Sequence, residues 1–249
     1  MLKIMNNIIL YSAITGISLV IGAITGLLVK KINQKVVAIT LAFGAGILIC
    51  ALTFGLMEAA FSASGFWPVV LGFFAGGLIF VIVDLLLINY GGRNHKRKTL
   101  LFKTKNKSNI LTMFLSTILD SVPKAIAVGV ATFAGLGTGL LIAVSISLAS
   151  IPESLSTVEG FKKEGFTKSW ILATWIISGA ILFFGAVFVF VFLHFLIPQV
   201  IGIIEAFAAG AVLAMLADII MPEAYENGGF PIGLVTILGF LLAFILTKI

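Results

Sequence analysis

Between Ser169 and Ile204 the chain carries no aspartate, glutamate, lysine or arginine. About 20 apolar residues in a helix cross a bilayer core. This run is therefore too long for one span, and it breaks at His194 and Pro198 into two. The same length rule divides the rest of the chain. Spans are predicted over Asn7–Val29, Val36–Met57 and Trp67–Tyr90, then a central pair, a sixth from Ser169 to Leu196, a seventh from Val200 to Met221 and an eighth over Pro231–Ile249. The first is too long for a signal-peptide core and no small-residue cleavage site follows it, so it reads as a retained helix. In lipid each backbone polar group must be satisfied within its own element. The expected fold is all-α, an integral membrane protein with eight transmembrane helices.

Charge sets the expected orientation. Only 10% of residues are charged, against about 25% in a soluble domain. Thirteen of the 16 Lys and Arg fall in three clusters: Lys30, Lys31 and Lys35; Arg93 to Lys107; and Lys162, Lys163 and Lys168. The turns around Ala63, Ala134 and Pro198 have none. This alternation is the positive-inside pattern. It puts the basic loops in the cytoplasm and both termini outside, in a multi-pass protein of the cell (plasma) membrane. The net charge of +6 thus meets lipid headgroups, with no nucleic acid partner implied. A homodimer is compatible with such a chain. The single cysteine, Cys50, lies inside an apolar span and reads as a packing residue rather than a soft-metal ligand. No nucleophile–base pair or phosphate loop points to an enzyme, and nothing points to a permanently bound cofactor.

A repeat organises the chain. AFGAG (42–46), LMEA (56–59) and GFWP (65–68) return as AFAAG (206–210), MPEA (221–224) and GFPI (229–232), at an offset of about 164 with a one-residue slip at MPEA. The second and seventh spans lie five steps apart along the chain, an odd number, so the two copies must cross the bilayer in opposite directions. The expected organisation is a single transmembrane domain: residues 1–90 as a first three-helix repeat, 91–109 as a cytoplasmic basic loop, 110–160 as the central pair and 168–249 as the second repeat. Inverted repeats of this kind place a transport site near the midplane, at the repeat interface.

The central pair holds the chemistry. DSVPKAIAVG (120–129) and ASIPESLS (149–156) each put one charge directly after a proline: Lys124 after Pro123, Glu153 after Pro152. Asp120 precedes Lys124 by four residues, on the same helix face. Proline removes one helix hydrogen bond, here freeing the carbonyls of Leu119 and Leu148, and Ser116, Ser121, Ser145, Ser147, Ala149 and Ser150 let the two backbones approach. Ionisable residues at this depth face the protein interior and mark a site or pathway.

These segments resemble the fourth and fifth helices of the ZIP (Zrt/Irt-like) family of divalent metal transporters, and GAVLAMLADIIMPEAYENGG (210–229) resembles its seventh helix. The family carries His-Asn-x-Pro-Glu-Gly on the fourth helix and His-Glu-x-Pro-Glu on the fifth. Its fourth-helix His falls here on Asp120, the Asn on Ser121 and the Glu on Lys124; on the fifth, the His falls on Ala149, the first Glu on Ser150 and the last on Glu153. The family's loop histidines are reduced to His95. The resemblance implies a permease for zinc, iron or manganese, with the metal as substrate and Asp120 and Glu153 as the metal-binding oxygens.

Lys124 alters that site. An ammonium about 5 Å from a divalent ion, at an effective dielectric near 20, opposes it by roughly 6–7 kcal/mol. The simplest reading is that Lys124 takes the place of the metal, between Asp120 and Glu153. Two alternatives stay open: a non-transporting scaffold or regulator of ZIP fold, and a carrier of a non-metal solute in which Lys124 changes charge. Glu58 and Glu223, repeat-related helix-end acids, are candidate pathway mouths. Asp84 and Asp218 are candidate pathway residues. Glu205 reads as an interface residue, and His194 as a hydrogen-bonded interfacial histidine.

Overall fold

The structure, a computed structural model, describes residues 2–29, 33–89 and 107–248. Most of the second basic cluster, with His95, lies outside them. The described residues contain no strand. Helix α1 spans Leu2–Leu28, α2 Gln34–Ala51, α3 Glu58–Ser64, α4 Phe66–Asn89, α5 Lys107–Ala134, α6 Leu136–Lys163, α7 Lys168–Leu193, α8 Pro198–Met215, α9 Met221–Gly228 and α10 Ile232–Lys248. Seven segments are long and apolar enough to cross a bilayer, and the stretch Ile232–Ile245 of α10 is apolar but shorter. The fold is all-α and that of a multi-pass membrane protein.

Two spans differ from the sequence-based expectation in the same way. The second continues past Met57, and the seventh past Met221. Each passes through a wide π turn, Leu52–Met57 and Leu216–Ile220, and goes on as α3 or α9. The continuous segments are Gln34–Ser64 and Pro198–Gly228, 31 residues each. A π turn admits one extra residue to the helical ladder, and the two begin at the same repeat position, Leu52 and Leu216. Both segments stop at a glycine with positive φ, Gly65 (76°) and Gly229 (72°). A side chain is disfavoured there, so the chain turns at the same place in both copies.

The packing repeats as well. α2 lies against α10, and α4 against α8. A Cβ on Gly46 would stand 2.0 Å from the carbonyl oxygen of Thr236, and one on Gly210 would stand 2.0 Å from that of Phe73. Gly239 and Gly76 repeat the relation, at 2.1 Å from the Phe43 oxygen and 2.0 Å from the Phe207 oxygen. α1 packs on α6, and α5 on α7. Gly26 abuts Val158 in the first pair, and Gly129 abuts Val189 in the second. α1 meets α7 at Gly16 and Gly179, each 2.7 Å by such a Cβ from the other's carbonyl oxygen. A reciprocal contact of this kind is what a two-fold relation between the first and last three spans produces.

These glycines are packing requirements. Gly76→Ala would press a methyl into backbone that cannot swing aside, an overpacking that costs about 1–3 kcal/mol. Thermal unfolding in detergent should show a lowered midpoint for Gly76→Ala. The control Gly137→Ala, where a Cβ meets nothing within 4 Å, should match the parent.

Candidate functional site

α5 and α6 are each continuous through their proline. Proline has no N–H, so the carbonyls of Leu119 and Leu148 lose their usual helix donors. Ser and Thr hydroxyls around them mostly bond back to their own helices: Ser147 to Ala143 O (2.7 Å), Ser154 to Ser150 O (2.9 Å) and Thr157 to Glu153 O (2.9 Å). Ser121 makes a longer contact with Thr117 O at 3.4 Å. Ser150 differs. Its Oγ is buried without a hydrogen-bond partner among the described residues, directly before the Ile151-Pro152 step.

The centre of the pair is an ion pair. The Lys124 Nζ donates to Glu153 Oε2 at 2.6 Å. Lys124 is 2% exposed and Glu153 4%, and Lys124 is one of the largest fully buried side chains among the described residues. Asp120, Ser121 and Ser150 are buried with them. A lysine inside a span ordinarily snorkels to the interface; this one is held in the interior by its acid. Two residues at one offset after matching prolines, one acid and one base, thus face each other. Among the described residues no group of three or more His, Cys, Asp and Glu gathers to hold a metal ion.

The other sequence-predicted residues lie on other elements, with Glu223 bonded to α6 one turn from Glu153. Glu58 is exposed at the start of α3. Glu223, half-buried on α9, accepts a hydrogen bond from the Ser156 hydroxyl. Asp84 is buried in α4, and Asp218 is half-buried in the second π turn. The His194 Nδ1–H donates to Phe190 O at 2.9 Å, with its ring edge-on to Phe133 and Phe190, and the residue is exposed at the end of α7. Cys50 packs with Ile47 and Ala243.

Three features go beyond the sequence reading, which had Glu205 only as an interface residue. Glu205, buried at 2% in α8, leaves Oε2 without a hydrogen-bond partner among the described residues. Its repeat counterpart is the core residue Leu41, a mismatch visible in the alignment of the copies. Gln34 bonds Glu159 across α2 and α6. The Lys162 ammonium donates to the carbonyls of Gly26, Leu27 and Val29. Those oxygens have no partner in the last turn of α1, and a cation is favoured there. The spacing of Ser156, Glu159 and Lys162 on one face of α6 was the available signal.

With this geometry in place, comparison with known proteins gives the chain its relatives. It is similar to bacterial zinc transporters. Over 222 residues it is 29% identical to Zinc transporter ZupT of Shigella dysenteriae serotype 1 (strain Sd197), an overlap of 88% of this chain and 86% of the relative. The same identity and coverage hold for Zinc transporter ZupT of Escherichia coli O7:K1 (strain IAI39 / ExPEC). No protein-family model matches the chain. The similarity extends over most of both proteins rather than over one motif.

Proposed function

We propose that this chain is a ZIP-like membrane permease for divalent metal cations of the zinc, iron and manganese class, working by alternating access, with Lys124 in the place of a metal ion. Transport rather than catalysis is supported by the similarity to the zinc transporters over 222 residues. The altered centre is supported by one observation above all, the buried 2.6 Å contact of Lys124 with Glu153. Asp120 and Glu153 supply the oxygens for a substrate metal, and Ser121 and Ser150 the neutral donors. Glu58 and Glu223 form the two mouths of the pathway, with Asp84 and Asp218 along it. The basic clusters face the cytoplasm, and the termini lie outside.

Ammonium and metal compete for the same carboxylate. At about 5 Å they repel by roughly 6–7 kcal/mol, so a metal binds Glu153 only once Nζ has moved away. Lys124 then acts as an occupant that is displaced and returns, keeping the empty site neutralised between passages. Loading proteoliposomes with the purified protein and measuring radiolabelled zinc, iron and manganese uptake tests this. Uptake above empty vesicles is expected for at least one ion. A second reading has the same ion pair as its support: a permanent lock in a non-transporting scaffold. Fluxes equal to those of empty vesicles for all three ions would favour it over metal transport.

A further inference from the structure

We propose that the face carrying the basic clusters is closed by a polar latch built on the last two turns of α6, and that among the described residues the counterpart positions on the opposite face form none. Ser156 donates to Glu223 on α9, and Gln34 at the start of α2 donates to Glu159. Lys162, one turn further, ties the same end of α6 to the end of α1 through three carbonyls. One helix end is therefore bonded to three others.

The repeat shows that this is a departure from symmetry rather than a feature of the fold. Lys124 and Glu153 fix the correspondence of α5 with α6 at 29 residues, and the matched Gly129–Val189 and Gly26–Val158 contacts obey it. By that correspondence Ser156, Glu159 and Lys162 answer to Ala127, Val130 and Phe133. Ala127 and Val130 are buried in the apolar core, and Phe133 packs against it. Gln34 answers to Pro198, which has no donor, and Glu223 to Glu58, which is exposed. No latch can form there with these side chains. Hydrogen bonds that involve an ionised group are among the stronger polar contacts, and each here joins α6 to a different segment. Opening the basic-cluster face must break them; opening the other face need not. The sequence thus biases the resting molecule towards closure on the side of Lys162.

The test requires no transport. In a Cys50→Ala background, Val37→Cys on α2 reports the latched face, and Val130→Cys on α5 reports the other; both positions are buried. Maleimide modification of each thiol is timed in the purified full chain, with and without the pair Ser156→Ala and Glu159→Ala. Loss of both bonds is expected to speed modification at Val37→Cys about tenfold and to leave Val130→Cys unchanged or slower. Glu159→Gln, which still accepts from the Gln34 amide, should keep the parent rate. An unchanged rate at Val37→Cys overturns the latch. So does an equal rise at both thiols, which would mean a generally loosened fold, and so does a rise with Glu159→Gln as large as with Glu159→Ala.

Discussion

Lys124→Glu is expected to create a divalent metal site where the parent protein binds metal weakly. The substitution removes a positive charge about 5 Å from the ion position and adds a carboxylate facing Glu153. The charge change is nominally worth more than the roughly 6–7 kcal/mol of the original repulsion. Desolvation and the rearrangement of Asp120 consume much of it. A gain of about a hundredfold in zinc affinity, near 2.7 kcal/mol, is the conservative expectation. Titration calorimetry of the purified protein in detergent measures it. The same variant should be less stable than the parent without metal, since two buried carboxylates repel, and zinc should raise its melting temperature by binding the folded state alone. Equal, weak binding by parent and variant would count against an internal cation.

Glu153→Ala is expected to have the largest effect on stability of any single change in the central pair. It leaves the Lys124 ammonium, 2% exposed, without its bonded acid. Breaking a buried pair from one side costs about 3–5 kcal/mol, which for a chain of this size lowers the melting temperature by roughly 10 °C. Zinc uptake should fall to the level of empty vesicles. The exchange of both residues, Lys124→Glu together with Glu153→Lys, keeps one acid and one base facing each other. It should recover most of the lost stability, whereas either single change does not. A double exchange no more stable than the single changes would show that Lys124 and Glu153 do not act as a pair.

How much of this was legible in the sequence depends on which interactions are local. The spans follow from run length, because a helix in lipid satisfies its own backbone, and the structure places helices where the apolar runs lie. The matching prolines put Lys124 and Glu153 at one offset, and the structure has them in contact. The ends of the second and seventh spans were less legible. Glu58 and Glu223 looked like stops, but α3 and α9 continue through them, since charges are tolerated where a helix emerges from the apolar layer. The π turns, present in both copies at the same offset, left no mismatch between the repeats to read. The Gln34–Glu159 contact depends on how α2 packs on α6, which no spacing along one helix encodes. Glu205 was visible as a charge in an apolar run, but its missing partner is a property of the packed state.

The claim on which the proposed function rests is that residue 124 supplies the positive charge facing Glu153. Anomalous diffraction at the zinc edge, from crystals of parent and Lys124→Glu grown with excess zinc, tests it most directly. For the parent, side-chain density should join the Lys124 amine to the Glu153 carboxylate with no anomalous peak between them, and Lys124→Glu should show a peak there. A zinc peak on Glu153 in the parent, with the lysine amine turned away into lipid or bulk water, would contradict it.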